Sequence, residues 1–411
     1  MQEVWIIDAA RTPRGIGRVG KGALSDIHPQ RLLSTVLRAL QERNDLKTEE
    51  VDDVVAGCSQ QSGKQGACIA RMAQLDAGWA DTSTGMTVSR FCGSGLSAVN
   101  VGAMGIGAGM QDLVVAGGVE MMSYTSTLPR TVGPLLDADN THLREAYVQM
   151  NVGVAADVIA TLEGITREDV DKLGYESQQR AAHAIQNGHF DKSLVPVYRD
   201  DGTLALDKEE FPRPQTTLEG LAGLKASFEA MMDNPLTDDG LTFRQVIEKR
   251  WPGMKINHMH HAGNSSGVVD GAAGLILASP EYARAQGWKP RARILAMANA
   301  GDNPELVLNA PVPAAKKVLK KAGMNVSDIE LFEVNEAFAV VPLKFMRDLD
   351  VDPDKVNVNG GAMALGHPIG ATGAIILGTL LDEMERRDLS VGMATMCAAG
   401  GMAPATIIER F

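Results

Sequence analysis

Aromatic side chains are scarce in this sequence: Phe, Trp and Tyr together make up 4% of 411 residues. Cysteine is scarce too. Cys58, Cys68, Cys92 and Cys397 are scattered along the chain and none forms a C-x-x-C pair. Four such residues in a chain this long make no disulfide framework, which points to a reducing compartment and free thiols. No apolar run approaches the roughly 20 residues that a membrane span needs. No basic block interrupts a formal net charge of −12, so nonspecific nucleic-acid binding is not expected. The chain enters a strand-like run, VWIID, without a leader, and the expectation is a soluble cytoplasmic protein.

What the chain has in quantity is glycine (43) and methionine (20), within a composition 45% hydrophobic and 22% charged. That usage suits close backbone approach and adaptable apolar filling in a protein of two or three packed units. Strand-like runs at 4–8, 51–58 and 113–120 alternate with helical spacing at 29–42 and 92–109. This β-α-β-α rhythm predicts an α/β sheet. It breaks between about 124 and 268, where prolines, charge clusters and helix-like patterns at 141–163 and 167–188 predict an inserted, mostly irregular and helical subdomain. The second pattern starts near Thr166 and stops at Asn187–Gly188. The rhythm returns at 267–279, 292–300, 329–338 and 393–410. Residues 87–107 and 356–378 echo each other as strand, reactive residue, small residues, helix, which suggests a duplicated unit.

Cys92, in SRFCGSGLSA, precedes a helix whose free N–H groups and positive end would lower a thiol pKa. It reads either as a nucleophile or as buried apolar filler. His367, in GGAMALGHPIGATG, is flanked by glycines and followed by proline. It reads as a base or oxyanion donor, or as a helix cap. Asn335, in FEVNEAFAVV, is a polar group among apolar ones that must find partners. Cys397, in CAAGG, could move a proton or simply pack. Cys58 and Cys68 read as structural, Cys68 near a subunit contact. HMHH (258–261) invites a metal reading but lacks further ligands at metal-site spacing. GIGAG (105–109) falls within a helix rather than after a strand, so it is not a dinucleotide loop.

FCGSG, GNSSGVVDGAA, NEAF, GGAMALGHPIGATG and CAAGG, in this order, resemble the thiolases. The resemblance runs from ARTPRG (10–15) through GGVEMMS (117–123) and ITREDVDKLGYESQQRA (165–181) to the C-terminus. It implies a five-layered αβαβα sandwich of two similar halves with an inserted loop domain. The halves would be 1–124 with 269–290, and 291–411; the CoA-binding loop domain would be 125–268. It also implies reversible Claisen chemistry on CoA thioesters. Cys92 would carry the acyl group, His367 would activate it, Cys397 would exchange the Cα proton and Asn335 would fix a water. The backbone N–H groups of Cys92 and Ala399 would form an oxyanion hole. Arg213, Ser266, Phe228 and Phe338 would contact CoA or wall the reacting end. No metal and no permanently bound cofactor are implied; CoA and acyl-CoA enter as substrates, and the assembly would be a homodimer or homotetramer.

The chain departs from the family pattern in places. CAAGGMA stands for CIGGGMG, which puts Ala399 at a glycine position where a positive φ would strain it. NVG at 151–153 replaces His-Met-Gly and would open the acyl pocket, favouring longer or branched chains and a degradative role in β-oxidation. The other outcomes are a short-chain acetyl-CoA acetyltransferase and, more remotely, a non-catalytic lipid-binding relative. Gly220 replaces a CoA-contacting serine. Residues 229–257 form an insertion, either at the substrate entrance or at a tetramer contact. A β-ketoacyl synthase-like enzyme is disfavoured by Cys397 and NEAF.

Overall fold

Two ladders with the same hydrogen-bonding pattern run through the molecule, a computed structural model that describes residues 2–129 and 135–411. The first contains β1 (Trp5–Arg11), β2 (Asp53–Gly57), β3 (Thr84–Val88), β4 (Leu113–Met121) and β5 (Val269–Ala278). Its order is β1-β5-β4-β2-β3: β5 is antiparallel to both β1 and β4, and β2 is parallel to both β4 and β3. The second contains β6 (Ala292–Gly301), β7 (Leu331–Val334), β8 (Val391–Thr395) and β9 (Met402–Glu409). Its order is β6-β9-β8-β7, with β9 antiparallel to both neighbours and β7 parallel to β8. The place of β3 is taken here by a parallel one-residue bridge, Phe332 to Val356. The ladders join edge to edge where Trp5 and Ile6 meet Arg293 and Ala292.

Helices cover both faces, so the strands read as apolar runs; all nine residues of β4 are buried. Side chains still alternate, and the three main apolar clusters record it. Trp5, Ile7, Val54, Val115 and Ile276 point towards α1 (Pro29–Asn44) and α2 (Ile69–Asp76). Ile6, Val55, Val114 and Leu275 point the other way, into a central layer of α3 (Ser94–Gly107) and α9 (Thr372–Arg387) that also receives Ala394 and Ile408. Phe332, Val334, Met393 and Ile407 face α7 (Pro311–Ala322) and α8 (Val340–Leu349). The result is a five-layered sandwich, α-β-α-β-α, built from two similar halves, as the resemblance implies.

The segment between β4 and β5 mixes helices with long irregular stretches. The 141–163 pattern resolves into two helices, Thr141–Ala146 and α4 (Val152–Glu163), because the Asn151 side chain caps the second by accepting from Gly153 N–H. α5 (Arg167–Gln186) opens at Thr166 with a capping box completed by Asp169. In the 229–257 segment, α6 (Phe243–Arg250) buries Phe243 and Ile247 in one cluster with Val154 and Val158 of α4. GIGAG lies at the C-terminal end of α3 rather than in its middle, since α3 stops at Gly107 and Gly109 has φ +72°. The run 393–410 is two strands, parted by a turn at Gly400 and Gly401, whose φ values are +80° and +70°. No helix among the described residues is long and apolar enough to cross a membrane.

Candidate active site

The two central helices bring Cys92 and His367 together. Cys92 lies at the entry to α3, after Phe91, which has φ +48°; such a backbone state is uncommon for a bulky residue and clusters at functional sites. His367 lies on the loop entering α9, and its N–H donates to Gly267 O at 2.9 Å. Glycines let this loop press onto the first half. A Cβ at Gly118 would stand 2.1 Å from Gly370 O, and one at Gly57 or Gly95 would strike the same oxygen at 2.7 or 2.8 Å.

A pocket of about 160 Å³ is lined by Cys92, His367, Cys397 and Ala399 together with Ser266 and Phe338. The His367 Nδ1 is 2.6 Å from Thr372 Oγ1, while Nε2 is buried without a partner. Burial alone pulls the imidazole down to about 4, so it is neutral at pH 7. Cys92 is partly open to the pocket, yet the surrounding protein pushes its thiol up to about 12. Burial is the main cause and Glu120 adds to it, while the N–H groups of Cys92 itself and of Ala399 donate towards the sulfur and act in the lowering direction. The expected low-pKa thiol is therefore corrected: desolvation outweighs the start of α3, and Cys92 rests as a neutral thiol beside a neutral imidazole. Cys397 is also raised, by burial and then by Cys92 nearby.

Ala399 escapes strain. Positive φ falls on Gly400 and Gly401 and not on Ala399, because the turn closes through Ala398 N–H to Met402 O at 2.7 Å and the reverse bond at 3.1 Å. Asn335 follows β7 and donates its backbone N–H to Thr395 O. Its buried side-chain amide has no partner at either atom. It lines a separate water-sized cavity with Arg14, Glu333 and Thr372, behind the pocket rather than in it.

Comparison with known proteins places this arrangement. The family described as Thiolase, N-terminal domain, matches residues 4–231, and Thiolase, C-terminal domain, matches residues 288–410. The chain belongs to the thiolase family. Its members are acyltransferases. A beta-ketoadipyl-CoA thiolase of Escherichia coli is 40% identical and a 3-ketoacyl-CoA thiolase of Colwellia psychrerythraea is 37% identical, each over 100% of both chains. The solved structure of human mitochondrial 3-ketoacyl-CoA thiolase in complex with CoA superposes with a TM-score of 0.85 at 32% identity, covering 100% of this chain and 98% of that one. That of the Bacillus anthracis acetyl-CoA acetyltransferase gives 0.83 at 35% identity, covering 100% and 99%.

Other residues singled out in the sequence fall at different depths of this thiolase. Val152 lines the pocket. Phe228 does not; it packs behind Phe338, edge to face at 5.8 Å. Arg213 is exposed, with its guanidinium 5.8 Å from the Phe211 ring, and is not part of the pocket wall. The three histidines of HMHH are held by carboxylates. His258 and His260 each set Nδ1 against Asp157, at 2.9 and 2.8 Å, and His261 sets Nε2 2.8 Å from Asp171. No group placed to hold a metal occurs among the described residues. Cys58 is buried and Cys68 exposed.

Sequence reasoning missed several supporting residues. Buried Glu120 accepts from the N–H groups of Ser59, Gln60 and Gly370 and from Gln65 Nε2, so it ties β4 to the His367 loop. Its signal was a lone charge ending the apolar run LVVAGGVE. Glu336 of NEAF accepts from Ser177 Oγ, Asn357 Nδ2 and Met363 N–H, joining α5 to the loop before His367. Met122, Val268, Leu308 and Ile369 complete the pocket wall and carried no local signal.

Proposed function

We propose that this thiolase cleaves 3-oxoacyl-CoA thioesters with apolar chains longer than acetoacetyl, releasing acetyl-CoA and a shortened acyl-CoA. One observation carries this reading: around Cys92, His367 and Cys397 the wall is Met122, Val152, Val268, Leu308, Phe338 and Ile369, with no acidic or cationic side chain save His367 among the described lining residues. A chain ending in a carboxylate would need a cation there. An apolar chain gains by leaving water.

In the proposed reaction the Cys92 thiol gives its proton to His367 Nε2 as sulfur attacks the 3-keto carbon. The tetrahedral oxyanion takes hydrogen bonds from the N–H groups of Cys92 and Ala399. The bond between C2 and C3 then breaks. Its electron pair becomes the enolate of acetyl-CoA, stabilised by Nε2–H, and Cys397 supplies the Cα proton. The CoA thiol next gives its proton to the Cys397 thiolate and attacks the acyl–Cys92 thioester; Cys92 leaves and recovers its proton from His367. The reading keeps CoA as a substrate, held along Ser266 and the Arg213 loop, with no permanently bound cofactor and with two or four copies in the assembly.

The test follows CoA-dependent loss of 3-oxoacyl-CoA enolate absorbance, with acetoacetyl-CoA and 3-oxo-octanoyl-CoA compared and Cys92→Ser as control. Faster turnover of the longer chain, lost in the variant, is the expected result. Preference for acetoacetyl-CoA would instead make this a short-chain acetyl-CoA acetyltransferase.

A further inference from the structure

One wall of the pocket is held by a strained turn. Val307 is β-branched and buried, yet has φ +61°, a state that such side chains avoid. Around it the Leu308 N–H donates to Leu306 O at 2.6 Å, closing a three-residue γ-turn. Strain of this kind persists only where the surroundings over-determine it. Its consequence here is the place of Leu308, which borders two spaces. One is the pocket of Cys92, His367 and Cys397. The other is a narrow crevice between α4, α7 and α8, bordered by Ile159, Val312, Val340 and Val341 and, on its polar side, by Asn309 and Lys344. Leu308 is the partition between them.

The turn is tied from outside by the 229–257 segment. The last residue of α6, Arg250, pairs with Glu305 at 2.7 Å. Glu305 is buried, stands two residues before Val307, and donates its own N–H to Asn303 Oδ1 at 2.8 Å. Because Phe243 and Ile247 fix α6 against α4, the Arg250 head is a tether from a packed helix to the turn.

We propose that Leu308 sets the acyl-chain length limit of this pocket and that the 229–257 segment holds it in place through Arg250. The proposal rests on the acyl-CoA reading above and gives a function to a segment whose role was open between substrate entrance and subunit contact. The ligand class is the apolar acyl chain of a CoA thioester. Arg250 is a positioning residue; Leu308 touches the chain.

The test uses the full chain carrying Cys92→Ala, so that no acyl transfer occurs, and measures Kd for butyryl-, octanoyl- and dodecanoyl-CoA by calorimetry. Leu308→Ala is expected to tighten octanoyl-CoA relative to butyryl-CoA by about tenfold, as roughly two more methylenes leave water. Arg250→Ala should move the same ratio in the same direction by a smaller factor. Arg244→Ala, which loses only an exposed pair with Asp233, should leave the ratio alone. Val307→Gly should flatten the dependence on chain length, while the melting temperature falls, because the loss of a buried side chain outweighs the strain relieved. A Leu308→Ala ratio within about twofold of the parent overturns the partition; an unmoved ratio in Arg250→Ala overturns the tether. The assay needs no turnover. A wild-type protein that cleaves no 3-oxoacyl-CoA, beside a length limit that depends on Leu308, would sink the catalytic reading and support the partition.

Discussion

The imidazole of His367 leans on Thr372, with Nδ1 2.6 Å from Oγ1. The Thr372 hydroxyl donates to Pro368 O at 3.0 Å, so Oγ1 accepts from Nδ1–H and Nε2 keeps its lone pair. Thr372→Val preserves shape and removes the acceptor. The buried Nδ1–H then has no partner, and the other tautomer, which cannot accept the Cys92 proton, gains population. Thiolysis kcat is expected to fall by about two orders of magnitude, the lower end of what a positioned base supplies. Thr372→Ser should recover most of it. Equal activity in Thr372→Val and wild type would mean that the ring is oriented by something else.

The two neutral partners predict an unusual pH profile. Between about 4, the value for His367, and about 12, the value for Cys92, the pair holds the same number of protons whichever member carries them. Iodoacetamide should therefore alkylate Cys92 at a rate flat from pH 5 to pH 10, given these two bounds. In His367→Phe the rate should climb about tenfold per pH unit, as for a thiol without a base. A step near pH 8.5 in the wild type, the value for a free cysteine, would contradict the buried pair. Stability has its own sign. The depressed His367 binds its proton more readily when unfolded, so stability is retained above the ordinary histidine value of about 6.5 and declines as pH falls from there towards 4.

Ala399 separates backbone from side chain at the oxyanion position. Its φ is not positive, so Ala399→Gly removes no strain and should change thiolysis by less than about twofold, within the range of a neutral surface-like change. Ala399→Pro deletes the N–H that points at Cys92 and should lower kcat by about 10²- to 10³-fold, the loss typical of one oxyanion donor. Circular dichroism and the Cys92 alkylation rate would separate this from a misfolded turn.

The layered sheet was legible because both faces of the central strands β4 and β5 are covered, which turns LVVAGGVE and GLILAS into continuous apolar runs. Cys92 and His367 were legible because each sits beside glycines whose Cβ atoms would collide across the interface between halves. The thiol pKa was not. A helix start is written locally, whereas desolvation depends on every wall around the sulfur. The strain at Phe91 and Val307 was hidden for a similar reason: neither residue type announces a positive φ, and only packing imposes it. The strand expected around Val356 shrank to one bridge with Phe332, since the chain bends away at Asn357, where φ is +47° and the side chain pairs with Val334 on both backbone groups.

Asp157 carries the last prediction, because four donors converge on one carboxylate. His258 and His260 present their Nδ1 atoms, and the N–H groups of Met259 and His260 add two more hydrogen bonds. Burial raises the pKa of Asp157, but the bonds from His258 and His260 outweigh it and hold the group below its ordinary value. Its contribution is then present above the ordinary aspartate value of about 3.9 and is lost as pH falls further. Asp157→Asn turns one acceptor into a donor facing donors and removes the charge. The expected cost is about 1.5–3 kcal/mol, the range for hydrogen bonds to a charged group, read from the urea unfolding midpoint at pH 7. Because carboxylates occupy the histidines, a chelator should change neither that midpoint nor thiolysis. A chelator-sensitive midpoint in the wild type would show that HMHH serves a metal after all.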